Sequence, residues 1–145
     1  MIPDGRVIGL DLGSRRIGVA VTDAGQALAT PAVTINRATS RDADHRAIAG
    51  LVEEYGAVGV VVGLPISLSG DIGQAALGVL EEVEELRSAI GVEIATVDER
   101  LTTVTAAASI RAAGVRSRRH RNFIDQAAAA EILQTWIERR KAPIR

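Results

Sequence analysis

The chain has 145 residues, the size of one domain, and a chain of that length buries roughly two-thirds of its unfolded surface, so a core without staples is feasible. Hydrophobic residues make up 47% and aromatics 2%, so the core must be aliphatic; cysteine is absent, which excludes disulfides, thiol catalysis and thiolate zinc sites. The formal net charge of −1 decides nothing about partners, no apolar run reaches the roughly 18 residues of a membrane span, and residues 1–12, with Pro3, Asp4 and Asp11, do not read as a signal peptide, so a cytoplasmic location and no membrane partner are expected.

Val7–Leu12 reads as a strand, Gly13-Ser14 as a turn, and Arg16–Thr22 as the hairpin partner, closed by Asp23 and Gly25. A third strand at Ala32–Ile35 completes an antiparallel meander. Ser40 is placed to cap a helix over about 41–55, where Ile48, Leu51, Val52 and Tyr55 recur at helical spacing. Val58–Val62 is a continuous apolar run, as suits a central strand covered on both faces, and Gly63-Leu64-Pro65 ends it. A polar loop with Ser67, Ser69, Gly70 and Asp71 leads to a helix over about 72–89, with Ala76, Val79, Leu80, Val83 and Leu86 as its inner stripe and Gly91 as its terminator. Val92–Val97 is another strand. A helix over about 103–113 stops at Gly114, residues 115–121 form a basic loop, and Asn122 caps a last helix over about 123–140 that turns Phe123, Ala127, Ala130, Leu133 and Ile137 inward. The order, three strands and then alternating helices and strands, predicts an α/β fold: one mixed five-stranded sheet with helices on both faces, in one domain over 1–145.

Three acids stand out against this frame. Asp11 lies inside an apolar strand, where a buried carboxylate is costly unless a cation, a hydrogen-bond network or a metal compensates it. Gly13 and Ser14 already supply the turn, so the turn does not need Asp11. Asp98-Glu99-Arg100 follows the end of a strand, where function gathers in α/β sheets; adjacent acids point different ways, so one of the two is expected to face the site. The alternative there is an ion pair with Arg100 or a helix cap. Asp125 falls in the first turn of the last helix, where a capping role is the plain reading. Taken together, the three can converge as two-metal phosphoryl transfer requires, with carboxylate oxygens holding Mg²⁺ or Mn²⁺. Asp11, Glu99 and Asp125 are the candidate catalytic residues, and Asp11, Asp98, Glu99 and Asp125 the candidate metal ligands.

The two histidines are too few and too separated for a histidine-based zinc site, and His45 is expected on the exposed face of its helix. Positive charge is nearly all arginine, which suits bidentate phosphate binding, and much of it clusters at Arg111–Arg121 and Arg139–Arg145. Arg15, Arg16, Arg100, Arg116, Arg118, Arg119, His120 and Arg121 are the candidate nucleic-acid contacts.

Four motifs occur in order: Gly9-Leu10-Asp11-Leu12-Gly13 with Arg16-Ile17-Gly18-Val19-Ala20, Val61-Val62-Gly63-Leu64-Pro65, Asp98-Glu99-Arg100-Leu101-Thr102-Thr103, and Asp125-Gln126-Ala127-Ala128-Ala129-Ala130-Glu131-Ile132-Leu133. Over nearly its whole length the chain resembles the YqgF/RuvX family of ribonuclease H-like proteins, described as Holliday junction resolvases and as pre-16S rRNA nucleases. The resemblance implies a ribonuclease H-like fold, with Asp11 as first-strand metal ligand, Asp98 or Glu99 as second acid and Asp125 as last-helix acid. It implies a metal-dependent nuclease that processes the 5′ end of pre-16S rRNA, with pre-rRNA or ribosomal particles as partners. The alternatives are a resolvase acting on branched DNA and a non-catalytic nucleic-acid-binding module of ribosome assembly. One departure is that the wider superfamily carries an acid where this chain has Val61–Pro65; here it comes one strand later. The Asp-x-Gly hairpin also resembles the phosphate motif of sugar kinases, but that fold needs a second such domain. A resolvase needs a two-fold dimer, whereas an rRNA trimmer works as a monomer, so oligomeric state stays open.

Overall fold

A computed structural model describes residues 1–66, 72–101 and 118–141. Five strands form one sheet in the order β3-β2-β1-β4-β5. β1 (Val7–Leu12), β2 (Arg16–Thr22) and β3 (Ala29–Asn36) are the antiparallel meander, while β4 (Gly59–Leu64) and β5 (Glu93–Asp98) add in parallel on the other side of β1. α1 (Arg41–Tyr55) and α2 (Gln74–Arg87) connect the parallel strands, and α3 (Arg118–Lys141) ends the described chain.

Strand alternation divides the apolar residues between two cores. Ile8, Leu10, Leu12, Ile17, Val19, Val60, Val62 and Ile94 face α1 and α2. Val7, Ala20, Val61 and Val97 face Ala129, Ile132 and Leu133 of α3. The three central strands are therefore apolar on both sides, as the continuous runs in the sequence demand.

Several elements differ from the sequence-based expectation. β3 begins at Ala29 rather than Ala32, because Pro31 sits on an edge strand beside a register shift at Val19/Ala20 and its missing N–H costs no ladder bond. β4 runs on through Gly63 and Leu64, which pair with Val97 and Asp98. α2 ends at Arg87, four residues before Gly91. α3 begins at Arg118, so Asn122 is inside the helix and not its cap, and Asp125 is beyond the first turn. Residues 118–121 thus belong to the helix rather than to a loop, and Phe123, expected to face inward, is exposed. The expected helix over 103–113, Gly114 and the loop residues 115–117 lie outside the described residues.

α1 starts where the sequence says it should. Ser40 Oγ accepts the Ala43 N–H at 3.2 Å, and Gly56, at φ 62°, closes the helix with Ala57 N donating to Val52 O. His45, expected to be exposed, is buried, and its Nε2 lies 2.9 Å from Glu82 Oε2. Arg37 donates to both Glu82 oxygens, at 2.6 and 2.8 Å, and to Asp44 at 3.2 Å. This charged cluster stitches α1 and α2 to the end of β3, and Arg37 Nε also donates to the Gly13 carbonyl, tying the cluster to the β1–β2 turn.

Candidate active site

The site is built on the face of the sheet that carries α3. Asp11 pairs with Gly18 across β1–β2, and Gly63 with Val97 across β4–β5; alternation turns all four towards α3. Glycines in these strands let the helix lie directly on the sheet. A Cβ on Gly9 would stand 2.8 Å from Leu133 Cβ, one on Gly18 would run into the backbone carbonyl of Asp125, and one on Gly63 would strike Ile132. Gly18 therefore fixes where Asp125 arrives, directly across the ladder from Asp11.

Glu99 leaves the end of β5 in a 3₁₀ turn, Glu99–Leu101. Its Cγ lies 3.1 Å from where a Cβ on Gly63 would be. The acid thus reaches from the edge strand over β4, into the space beside the glycine of Val61-Val62-Gly63-Leu64-Pro65. Asp98, one residue out of phase, turns to Arg100, whose N–H, Nε and Nη2 all donate to its carboxylate, the last at 2.5 Å. That fork holds the Asp98 carboxyl below its usual range.

Electrostatics separate the acids further. Burial first, and then the charge of Asp125, push Asp11 up to about 6. Burial first, and then the charges of Asp11 and Asp98, push Glu99 up to about 7. Desolvated acids that repel each other are a site for positive charge. Asp125 is held by Arg16, whose Nε donates to its Oδ2 at 2.5 Å, with both side chains only partly exposed.

The donor set is carboxylate oxygen throughout, which suits a hard divalent cation. Among the described residues, however, no three acids or histidines are gathered closely enough to make a ready cage. The chemistry of Asp11 and Glu99 suits a cation, while Asp125 is engaged by Arg16.

The remaining candidates are spread more widely. Arg15 and Arg121 are exposed on the hairpin and on α3, and Arg100 is taken up by Asp98. Arg118, Arg119 and His120 form the first turn of α3, and Arg116 lies outside the described residues. A groove of about 620 Å³ follows the edge of β5 to Trp136, Arg139 and Arg140; it reaches Asp98 but not Asp11, Glu99 or Asp125. The sequence reading missed the glycine cradle for α3, although its signal, Gly9, Gly18 and Gly63 inside apolar strands, was present.

A meander, two parallel strands and a last helix that brings an acid back over the first strand define the ribonuclease H-like α/β fold. *Thermus thermophilus* RuvC has the same fold in two structures. One is in complex with a Holliday junction substrate (TM-score 0.57, 14% identity, 94% of this chain and 95% of that one), and the other has TM-score 0.53 and 12% identity. The profile of the family described as "RuvX: Holliday junction resolvase" matches residues 5–139, and the chain belongs to that family. Relatives named "Putative pre-16S rRNA nuclease" occur in *Mycobacteroides abscessus*, 49% identical over 94% of this chain and 83% of that protein, and in *Nocardia farcinica*, 48% identical over 97% and 82%.

Proposed function

We propose that the chain, acting over 1–145 as one nuclease domain, hydrolyses nucleic-acid phosphodiesters at Asp11, Glu99 and Asp125 with Mg²⁺ or Mn²⁺, and that its substrate is the 5′ end of precursor 16S rRNA. The observation that carries this reading is the pairing of two desolvated, mutually repelling carboxylates, Asp11 and Glu99, on the face where α3 delivers Asp125. Asp11, Glu99 and Asp125 are the residues that would hold the cation. A divalent cation held there supplies Lewis acidity and charge neutralisation for attack of water on the phosphodiester. Asp98 orients Arg100 at the site's edge. The choice of rRNA follows the names of the relatives, and it implies action in the cytoplasm on free or particle-bound pre-rRNA.

A second reading, cleavage of branched DNA, is favoured by the family's description. It requires a two-fold dimer to cut both strands symmetrically. The test is a cleavage assay on precursor rRNA and on a four-way junction, each with Mg²⁺ or Mn²⁺, for the wild type and Asp11→Asn. Cleavage of the rRNA alone, lost in Asp11→Asn, is expected. Junction cleavage by a dimer would select the second reading. Binding without cleavage would leave a non-catalytic ribosome-assembly module, and cleavage undiminished in Asp11→Asn would sink the mechanism.

A further inference from the structure

We propose that Arg16 couples cation loading to substrate binding: it holds Asp125 in the cation-free site and releases it when a backbone phosphate of the nucleic acid draws the guanidinium away. This rests on the nuclease reading above and adds an ordering to it.

The geometry of the pair carries the inference. Arg37 grips Glu82 with two nitrogens and Arg100 grips Asp98 with Nε and Nη2, but Arg16 meets Asp125 through Nε alone. Only Nε of Arg16 reaches the Asp125 carboxylate, and the side chain is 26% exposed. A one-point ion pair is the easiest kind to exchange, and a phosphate offers the same guanidinium a two-point contact. The pair is also not needed to dock α3. Gly9, Gly18 and Gly63 let the helix pack on the sheet, Thr34 Oγ1 donates to Asn122 O at 2.7 Å, and Ala29 N donates to Gln134 Oε1 at 2.9 Å. Arg16 therefore serves as a removable positive charge on the third carboxylate, standing where the cation's charge is wanted. When it leaves for a phosphate, Asp125 becomes available beside Asp11. Because the two bindings share one intermediate arrangement, each must strengthen the other by the same factor.

Arg16 is a positioning residue on this account, and the readout is cation affinity rather than turnover. Mn²⁺ binding is measured by electron paramagnetic resonance, with and without a phosphorothioate-linked RNA oligonucleotide, for the wild type, Arg16→Met and Arg46→Gln. The RNA is expected to tighten Mn²⁺ binding by the wild type about fivefold, the scale of losing one modest ion pair. Arg16→Met should bind Mn²⁺ about fivefold more tightly without RNA and gain less than about twofold on adding it. Arg46→Gln, which removes an exposed charge on α1 without touching Asp125, should keep wild-type Mn²⁺ affinity in the absence of RNA.

Unchanged Mn²⁺ affinity in a normally melting Arg16→Met overturns the proposal while leaving the nuclease reading intact. Equal tightening in Arg46→Gln also overturns it, because general charge removal then suffices. No Mn²⁺ binding by the wild type removes the cation reading and this proposal with it. If Arg16→Met melts early, Arg16→Lys decides: it keeps the charge but not the fork, so the gain on adding RNA should fall by at least about half, and an undiminished gain overturns the proposal.

Discussion

Asp11 and Glu99 make the cation-free protein sensitive to pH in a direction opposite to that of most carboxylates. Both are raised in the folded state, to about 6 and about 7, so the folded protein binds more protons than the unfolded chain at intermediate pH. Their contribution is fully present below about pH 4 and is lost as pH rises through 6 to 7. The lowered groups, Asp23, Glu82 and Asp98, act the other way, and their contribution is lost only as pH falls below the usual carboxylate range. EDTA-treated protein should therefore lose melting temperature between about pH 5 and 8. Asp11→Asn should flatten that loss and be more stable than the wild type at pH 8 by roughly 2 kcal/mol. Thermal melts across that range test this, and a wild-type melting temperature that rises with pH there would contradict it. Added Mn²⁺ should reverse the trend, because the cation binds the deprotonated forms. At the same scale, Glu99→Gln should abolish cleavage, whereas Asp98→Asn, whose carboxylate faces Arg100, should retain most of it; single-turnover rates of the two variants decide the assignment.

α3 is held by an absence of side chains, which makes glycine substitutions informative. In Gly18→Ala the new methyl meets the backbone of Asp125, which cannot rotate away, so the helix must lift. Overpacking of this kind costs about 1–3 kcal/mol, and the lift should also displace Asp125 and reduce cleavage. Gly50→Ala, on the exposed face of α1 with nothing near the new methyl, should instead stabilise by roughly 0.5–1 kcal/mol. Urea denaturation of the two variants tests the opposite signs. On the other face of the sheet, Glu82 is buried between Arg37 and His45. Glu82→Gln removes the two-point partner of Arg37 and leaves it Asp44, and should cost about 2 kcal/mol in the same experiment. Because Arg37 also holds the Gly13 carbonyl, the variant should loosen the hairpin turn that follows Asp11, visible as faster amide exchange at Gly13–Arg16.

For the molecule as a whole, the net charge of −1 leaves nucleic-acid binding to the placement of arginines rather than to their sum. Arg121 is exposed one helical turn before Asp125, and Arg15 is exposed on the hairpin beside Asp11 and Arg16. Under the proposed nuclease reading, these two arginines would contact backbone phosphates. Each replacement by Ala should weaken binding to all sequences alike and lower the slope of log affinity against log salt by about 0.7–0.9. Salt titrations of RNA binding measure that slope, and unchanged slopes in both variants would show that the strand enters elsewhere. The Arg118→Ala, Arg119→Ala double variant extends the same test to the start of α3. Among the described residues no helix is long and apolar enough to cross a membrane.

The sequence by itself determined the order of the described strands and helices, the two-sided burial of β4 and the family. Apolar periodicity, Ser40 as cap and four ordered motifs are local signals, and they need no distant partner to be read. It also singled out Asp11, because a lone acid in an apolar strand requires compensation wherever the strand goes. Tertiary structure alone decided what compensates what. That Glu99 reaches over Gly63 while Asp98 turns to Arg100 depends on strand phase at the end of β5, and two adjacent acids look alike in a sequence. Asn122 read as a cap because the signal for a helix start is local, yet the helix begins earlier, at Arg118. The burial of His45 and Glu82 was hidden for the opposite reason: each is an ordinary polar residue on its own helix, and only the packing of α1 against α2 closes them around Arg37. The Arg16–Asp125 pair joins residues 109 positions apart, and the close approach at Gly18 is what makes it possible.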